Sequence, residues 1–293
     1  YPGEIAWSGS EFVVGFADNR YGNLDAWGVR VAPNGAALTD GVDVSGADNA
    51  ETSVRVTWAG SGWGFSWMDS RAGNRIYIAN VDDDTMVSID DYYITGGAGY
   101  IFGDHDIAWT GSSYGVCWGD NRDGTYQLYF KVVSQLGVDL VPDTDVTTDF
   151  DGVHSCSIAW TGSAFAIGWA GERAATARAA YVVAVDPAGL RMTSDVFLGA
   201  VASSSPFQPV QVAVAPDLGI GVGWSRIATT EHIVLTRLDF DLLRIGDNVV
   251  VSDGSGPNVA PSMAWDGSGF GLAWESASGA SSGDVVFSRV GCL

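Results

Sequence analysis

The sequence predicts an all-β protein, a six-bladed β-propeller of four-stranded antiparallel blades. Three observations predict it. Trp7, Trp58, Trp109 and Trp160 recur at a constant spacing of 51 residues. A strictly alternating run follows each of them, and no window carries a 3.6-residue apolar period. A period of this size, with several short strands in each copy, is the mark of a propeller rather than of a globule of unrelated segments.

The first run of each copy ends in a Trp-x-Gly-Ser turn or a variant of it, most plainly Ile158-Ala159-Trp160-Thr161-Gly162-Ser163. The fifth copy has drifted to Val212-Ala213-Val214-Ala215-Pro216-Asp217, and the sixth returns as Met263-Ala264-Trp265-Asp266-Gly267-Ser268. Blades therefore start near residues 5, 56, 107, 158, 212 and 263. The second run alternates bulky and small residues, as in Trp63, Phe65 and Trp67 around Gly64 and Ser66. Period two means strand, and one bulky face with one shallow face suits sheet-on-sheet stacking. Third runs follow at 26–31, 76–81, 128–133, 180–185, 233–238 and 285–290, and weaker fourth runs lie around 42–44, 92–94, 145–147, 196–198 and 249–251. The sixth copy stops after its third run. That blade is expected to be three-stranded or to be completed by a segment outside this sequence.

Residues 1–293 read as a single domain, because propellers of this length commonly fold as one unit. The formal net charge is −21, and Lys131 is the one lysine among 14 basic residues. Such a balance argues against nucleic acid, whose phosphates require basic patches, and against anionic membrane surfaces. No apolar run approaches the ~18 residues of a membrane span, so no membrane insertion is expected. Three cysteines cannot all pair internally. Cys117 takes a small-face position and reads as a buried free thiol. Cys156 precedes a first strand and Cys292 follows a third strand, toward opposite faces of the ring, which predicts no bridge between them.

The loop joining second and third strands carries a recurring motif: Asp18-Asn19-Arg20-Tyr21-Gly22, Asp69-Ser70-Arg71-Ala72-Gly73 and Asp120-Asn121-Arg122-Asp123-Gly124. Blade four keeps Arg173 beside Glu172, and blades five and six have lost the pattern. In a scaffold reading the carboxylate caps the turn, the glycine permits positive φ and the arginine ties adjacent loops together. In a functional reading the same carboxylates and arginines bind a polar ligand, with His105 and His154 on the same face. Asp104, His105, Asp106 and Asp151 lead into neighbouring first strands and offer imidazole and carboxylate donors for a metal. Asp82-Asp83-Asp84 and the acidic stretch 139–145 read as solvated turns, because neither has the calcium-loop spacing, with weak calcium binding as the alternative there. No nucleophile elbow, phosphate loop or dinucleotide fingerprint appears.

The unit of Ala-Trp, Gly-Ser, apolar-x-Trp and Asp-x-Arg-x-Gly resembles repeats of large secreted or surface-anchored bacterial proteins, and residues 5–38 carry it most fully. The resemblance implies propeller blades, export, and a binding or scaffold role more than an enzyme; it carries no catalytic residue over. Loop-proximal aromatics Tyr21, Tyr100, Phe102, Tyr126 and Phe150 point to a glycan or a protein as ligand. The rival expectations are a polysaccharide hydrolase or lyase working through the His105, His154 and Arg122 face, and a structural spacer within a larger surface protein.

Overall fold

A computed structural model of the chain describes residues 3–46, 49–96, 101–173, 177–201, 209–227, 231–253, 258–276 and 283–291. Among the described residues every regular element is a strand. Blade one comprises β1 (Glu4–Trp7), β2 (Phe12–Asp18), β3 (Asp25–Val31) and β4 (Val42–Asp43). Blade two comprises β5 (Glu51–Trp58), β6 (Gly62–Asp69), β7 (Arg75–Asp82) and β8 (Ser88–Tyr93). In blade three these are β9 (Ile101–Trp109), β10 (Ser113–Asp120), β11 (Gln127–Ser134) and β12 (Asp139–Asp145). Blade four holds β13 (Gly152–Trp160), β14 (Phe165–Glu172), β15 (Ala179–Val185) and β16 (Val196–Ala200), and blade five β17 (Gln211–Ala215), β18 (Gly219–Ile227), β19 (Glu231–Leu238) and β20 (Val249–Val250). Blade six is three-stranded: β21 (Asn258–Trp265), β22 (Gly269–Ser276) and β23 (Asp284–Gly291). Each sheet is a simple meander in sequence order. The all-β, six-bladed reading holds.

First strands begin earlier than the periodicity predicts, at Glu51, Ile101, Gly152 and Asn258. In blades two, four and six the pairing register shifts, between Thr52 and Arg55, Val153 and Ser155, and Val259 and Ser262. Such an irregularity interrupts the alternation on which a period-two reading depends.

The chain divides into two compact units, Tyr1–Ile101 with His105–Val116 and Lys131–Thr144, and Phe102–Asp104 with Cys117–Phe130 and Asp145–Leu293. In the first unit the core gathers Val13, Val54, Val56, Trp63, Phe65 and Trp67. A Cβ on Gly64 would lie 2.5 Å from the Tyr114 ring, so glycine is required where the next blade's bulky face presses in. In the second unit Trp224, Val222 and Val212 pack with Val182 and Leu198, and a separate cluster joins Ile233 and Leu235 to Phe270, Leu272 and Trp274. A Cβ on Gly221 would meet Phe270 at 2.6 Å. Bulky face against shallow face is thus the stacking rule within each unit.

One slot in this stacking recurs with changing chemistry. The residue before the second-strand aromatic meets the residue four before the next blade's first-strand tryptophan. In the first unit the pairs are Gly15 with Val54, where a Cβ on Gly15 would meet Val54 Cγ1 at 3.1 Å, and Ser66 with His105. In the second unit the same slot holds a disulfide between Cys117 and Cys156, 6.3 Å apart at Cα. This corrects the expectation of a free Cys117 thiol: Cys156 lies inside β13, within reach of the sulfur in β10. Cys292 lies outside the described residues.

The stretch 139–145, expected as a solvated turn, is the outer strand β12. Its charge is balanced by Lys131, whose buried Nζ stands 2.9 Å from both Asp139 Oδ1 and Asp143 Oδ1 and donates to the Ile94 carbonyl at 2.6 Å. The Asp82 group is a turn, as expected: Asp82 Oδ1 accepts from Asp84 N, Thr85 N and Thr85 Oγ1, and Asp83 Oδ1 accepts from Trp63 Nε1.

Candidate functional site

The 2→3 loops of blades one to three fold into one module. The motif aspartate ends the second strand and accepts the backbone N–H of the arginine two residues on, at 2.8 Å for Asp18 and Arg20, 2.6 Å for Asp69 and Arg71, and 2.8 Å for Asp120 and Arg122. That bond folds the arginine back so that its Nε also reaches the aspartate, at 3.0, 2.5 and 3.0 Å. Its guanidinium then lies over the aromatic ring three residues into the third strand. The distances are 4.2 Å over Trp27, 4.1 Å over Tyr77 and 4.4 Å over Tyr129. In blades two and three that ring is stacked on the second-strand tryptophan, Trp67 on Tyr77 at 6.5 Å and Trp118 on Tyr129 at 5.9 Å. A cation over a desolvated ring, held by a bidentate carboxylate, is a rigid arrangement.

In blades one to three these contacts tie the arginine to its own hairpin. Arg71 also pairs with Asp91 of β8. In blade four Gly171 replaces the aspartate and Phe150 packs against it, while Arg173 covers Phe150 at 4.2 Å and pairs with Asp149 at 3.2 Å and with Asp195. Hydrogen bonds from Arg20 hold the Asp18 carboxyl below the usual carboxylate range. Burial grades the modules: the Asp18 side chain is 28% exposed and that of Asp120 is 1% exposed. Asp120 Oδ2 additionally accepts from Trp118 Nε1 at 3.2 Å.

His105 is fully buried in β9, with Nε2 2.8 Å from Ser66 Oγ and its carbonyl accepting Arg55 Nε at 2.9 Å. His154 belongs to a different group. Its Nε2 stands 3.7 Å from Glu172 Oε1, which also accepts Arg178 Nε at 3.0 Å. Burial, then the Arg178 charge, push this imidazole below its ordinary value, so it is neutral at pH 7. Asp106 Oδ1 accepts its neighbour's N–H, Ile107 N at 2.8 Å, Asp104 sits in β9, and Asp151 donates its N–H to the Glu172 carbonyl at 2.8 Å. Among the described residues no three His, Cys, Asp or Glu side chains are grouped as a metal ion requires.

Of the loop aromatics, Tyr21 is 77% exposed and packs on Trp27 at 5.5 Å, beside Arg20. Phe150 is buried and Tyr126 is half-buried. Tyr100 and the side chain of Phe102 lie outside the described residues. Sequence reasoning missed Glu51, a fully buried carboxyl whose Oε2 accepts Ser45 Oγ at 2.5 Å and Ala26 N at 3.1 Å while Oε1 has no partner. Burial, with the Asp69 and Asp25 charges adding to it, pushes this group up to about 7. It also missed Arg178, Asp91 and Asp195, which sit outside the repeated motif.

No family model matches the sequence, and no curated protein matches it. Solved structures do. A protein of unknown function from Dyadobacter fermentans DSM 18053 superposes at a TM-score of 0.67 and 10% identity, over 98% of this chain and 93% of that one. The α-L-arabinanase of Penicillium chrysogenum, complexed with arabinobiose, superposes at 0.62 and 11% identity, over 96% and 90%. The subtype N11 neuraminidase-like protein of A/flat-faced bat/Peru/033/2010 gives 0.54 and 11%, over 97% and 85%. At these identities the likeness shows the fold alone, and that fold is the β-propeller.

Proposed function

We propose that this propeller is a binding protein whose ligand is a glycan, held on the 2→3 loops, and that it works outside the cell or in the envelope. One observation carries the reading: Tyr21 stands exposed against Trp27, the ring that Arg20 also covers. An exposed aromatic fixed beside a guanidinium offers an apolar ring to a sugar face and N–H donors to its hydroxyls. The motif carboxylates are meanwhile committed to their own arginines, which suits a scaffold better than acid–base chemistry. The Cys117 to Cys156 bond supports an oxidising compartment.

A glycan-array screen of the wild type and Tyr21→Ala, in calcium and again in chelator, tests this. Selective binding that Tyr21→Ala abolishes is expected, and loss in chelator would add calcium to the site. A blank array in both conditions overturns the glycan reading and favours a protein ligand or a spacer role.

A second reading rests on His154, Glu172 and Arg178. A neutral imidazole near a carboxylate that an arginine orients is the composition of a general-base pair, and a neighbour of this fold is an arabinanase. Release of reducing sugar from arabinan or another polysaccharide, lost in Glu172→Gln, would favour a hydrolase over a binding protein.

A further inference from the structure

Blade five carries a cation whose acid has been removed. Arg30 of β3 and Arg289 of β23 occupy the same place in their blades, three residues beyond the residue opposite the second-strand aromatic. Each is gripped by an acid of its own 1→2 turn: Arg30 by Glu11, at 2.6 and 2.9 Å, and Arg289 by Asp266, with Nη2 3.1 Å from Oδ1. The equivalent residue in blade five is Arg237 of β19. By strand register the place of Glu11, just before the second strand's first bulky residue, is taken there by Gly219, and that of Asp266 by Ala215. Among the described residues the Arg237 guanidinium has no hydrogen-bond or carboxylate partner, in a chain with 35 acidic residues.

The two substitutions open a pocket of ≈ 150 Å³ beside Arg237, lined also by Ala215, Leu218, Ile220, Ile245 and Phe270. Its floor is apolar and buried, since Phe270 and Ile220 are each 2% exposed, and Leu218 stands at its rim. No acidic side chain lines it. The size suits a benzene-scale group. We infer that this pocket binds a compact apolar carboxylate, whose oxygens take the place that Glu11 fills in blade one while its body rests on Phe270 and Ile220. The pocket sits at the end of the blade-five strands opposite the 2→3 loop, so this site does not depend on the glycan reading. The carboxylate could belong to a free acid or to the C-terminal residue of a peptide.

Fluorine NMR titration with 4-fluorobenzoate tests it on the full chain, with 4-fluorobenzyl alcohol as the neutral control. Saturable binding is expected for the acid, weaker by about tenfold or more for the alcohol, for Arg237→Gln and for Leu218→Glu, which sets a competing carboxylate on the exposed rim beside Arg237. A short peptide ending in a free leucine, run beside its amide, separates the sources: tighter binding than benzoate assigns a chain terminus, weaker binding a free acid. Equal binding of acid and alcohol, binding unchanged in Leu218→Glu with an unaltered circular dichroism spectrum, or no saturable binding of benzoate overturns the proposal.

Discussion

Removing the Cys117 to Cys156 cross-link should lower stability by about 4 kcal/mol. The bond joins β10 to β13 and closes a loop of 39 residues. Loop-closure entropy rises with the logarithm of loop length, which puts this cross-link at about 4 kcal/mol at 25 °C, acting on the unfolded chain. Spread over the unfolding entropy of 293 residues, that is a fall of roughly 6 °C in Tm. Both cysteines are buried, so Cys117→Ala with Cys156→Ala adds a packing loss of about 1 kcal/mol. Urea unfolding of oxidised wild type, reduced wild type and the double variant separates the two contributions: reduction alone gives the cross-link, and the variant gives both. The reasoning is refuted if reduction leaves the midpoint unchanged, or if iodoacetamide labels all three cysteines of the denatured, unreduced chain rather than one.

Three further outcomes follow from the same geometry. Asp120→Ala removes the carboxylate from a half-buried guanidinium and from the buried Trp118 indole N–H, so it should cost about 2–4 kcal/mol, whereas Asp18→Ala, on an exposed pair, should cost far less by urea unfolding. Glu51 is raised in the folded state to about 7 from an ordinary value near 4.5, so the stability of its protonated form is complete below about pH 4.5 and is lost as pH rises toward 7. Glu51→Gln should remove this loss, gaining about 3 kcal/mol over wild type at pH 8 relative to pH 4; parallel pH profiles for the two proteins would count against it. Lys131→Met removes the buried cation held between Asp139 and Asp143, and thermal unfolding in low salt should show a loss of about 1–2 kcal/mol that Lys131→Arg does not reproduce.

The repeat made the architecture legible because strand alternation and turn chemistry are local signals. The Trp-x-Gly-Ser turns and the run Trp63 to Trp67 announce their hairpins without reference to any other blade. The Asp-x-Arg motif was legible as a scaffold, but its true partners were not: the arginine stacks on a ring of its own third strand, set by how a hairpin closes. Contacts between stacked sheets leave no periodic trace. Cys117 and Cys156, Ser66 and His105, and Gly15 and Val54 share one slot, and their residue types have nothing in common. His105, read as a ligand candidate, lies fully buried against Ser66 for the same reason. The strand at 139–145 was hidden because its acidity is balanced by Lys131 from the neighbouring strand, and charge composition alone reads as solvent-facing.

The claim that the loops bind sugar without cleaving it is tested most directly by incubating the wild-type chain with the oligosaccharide it captures best and following that sugar by mass spectrometry. Binding with the oligosaccharide recovered intact, and binding lost in Tyr21→Ala but retained in Glu172→Gln, is the result predicted here. Appearance of shorter sugars with new reducing ends, abolished by Glu172→Gln, would contradict it and place the chemistry at His154 and Glu172 instead.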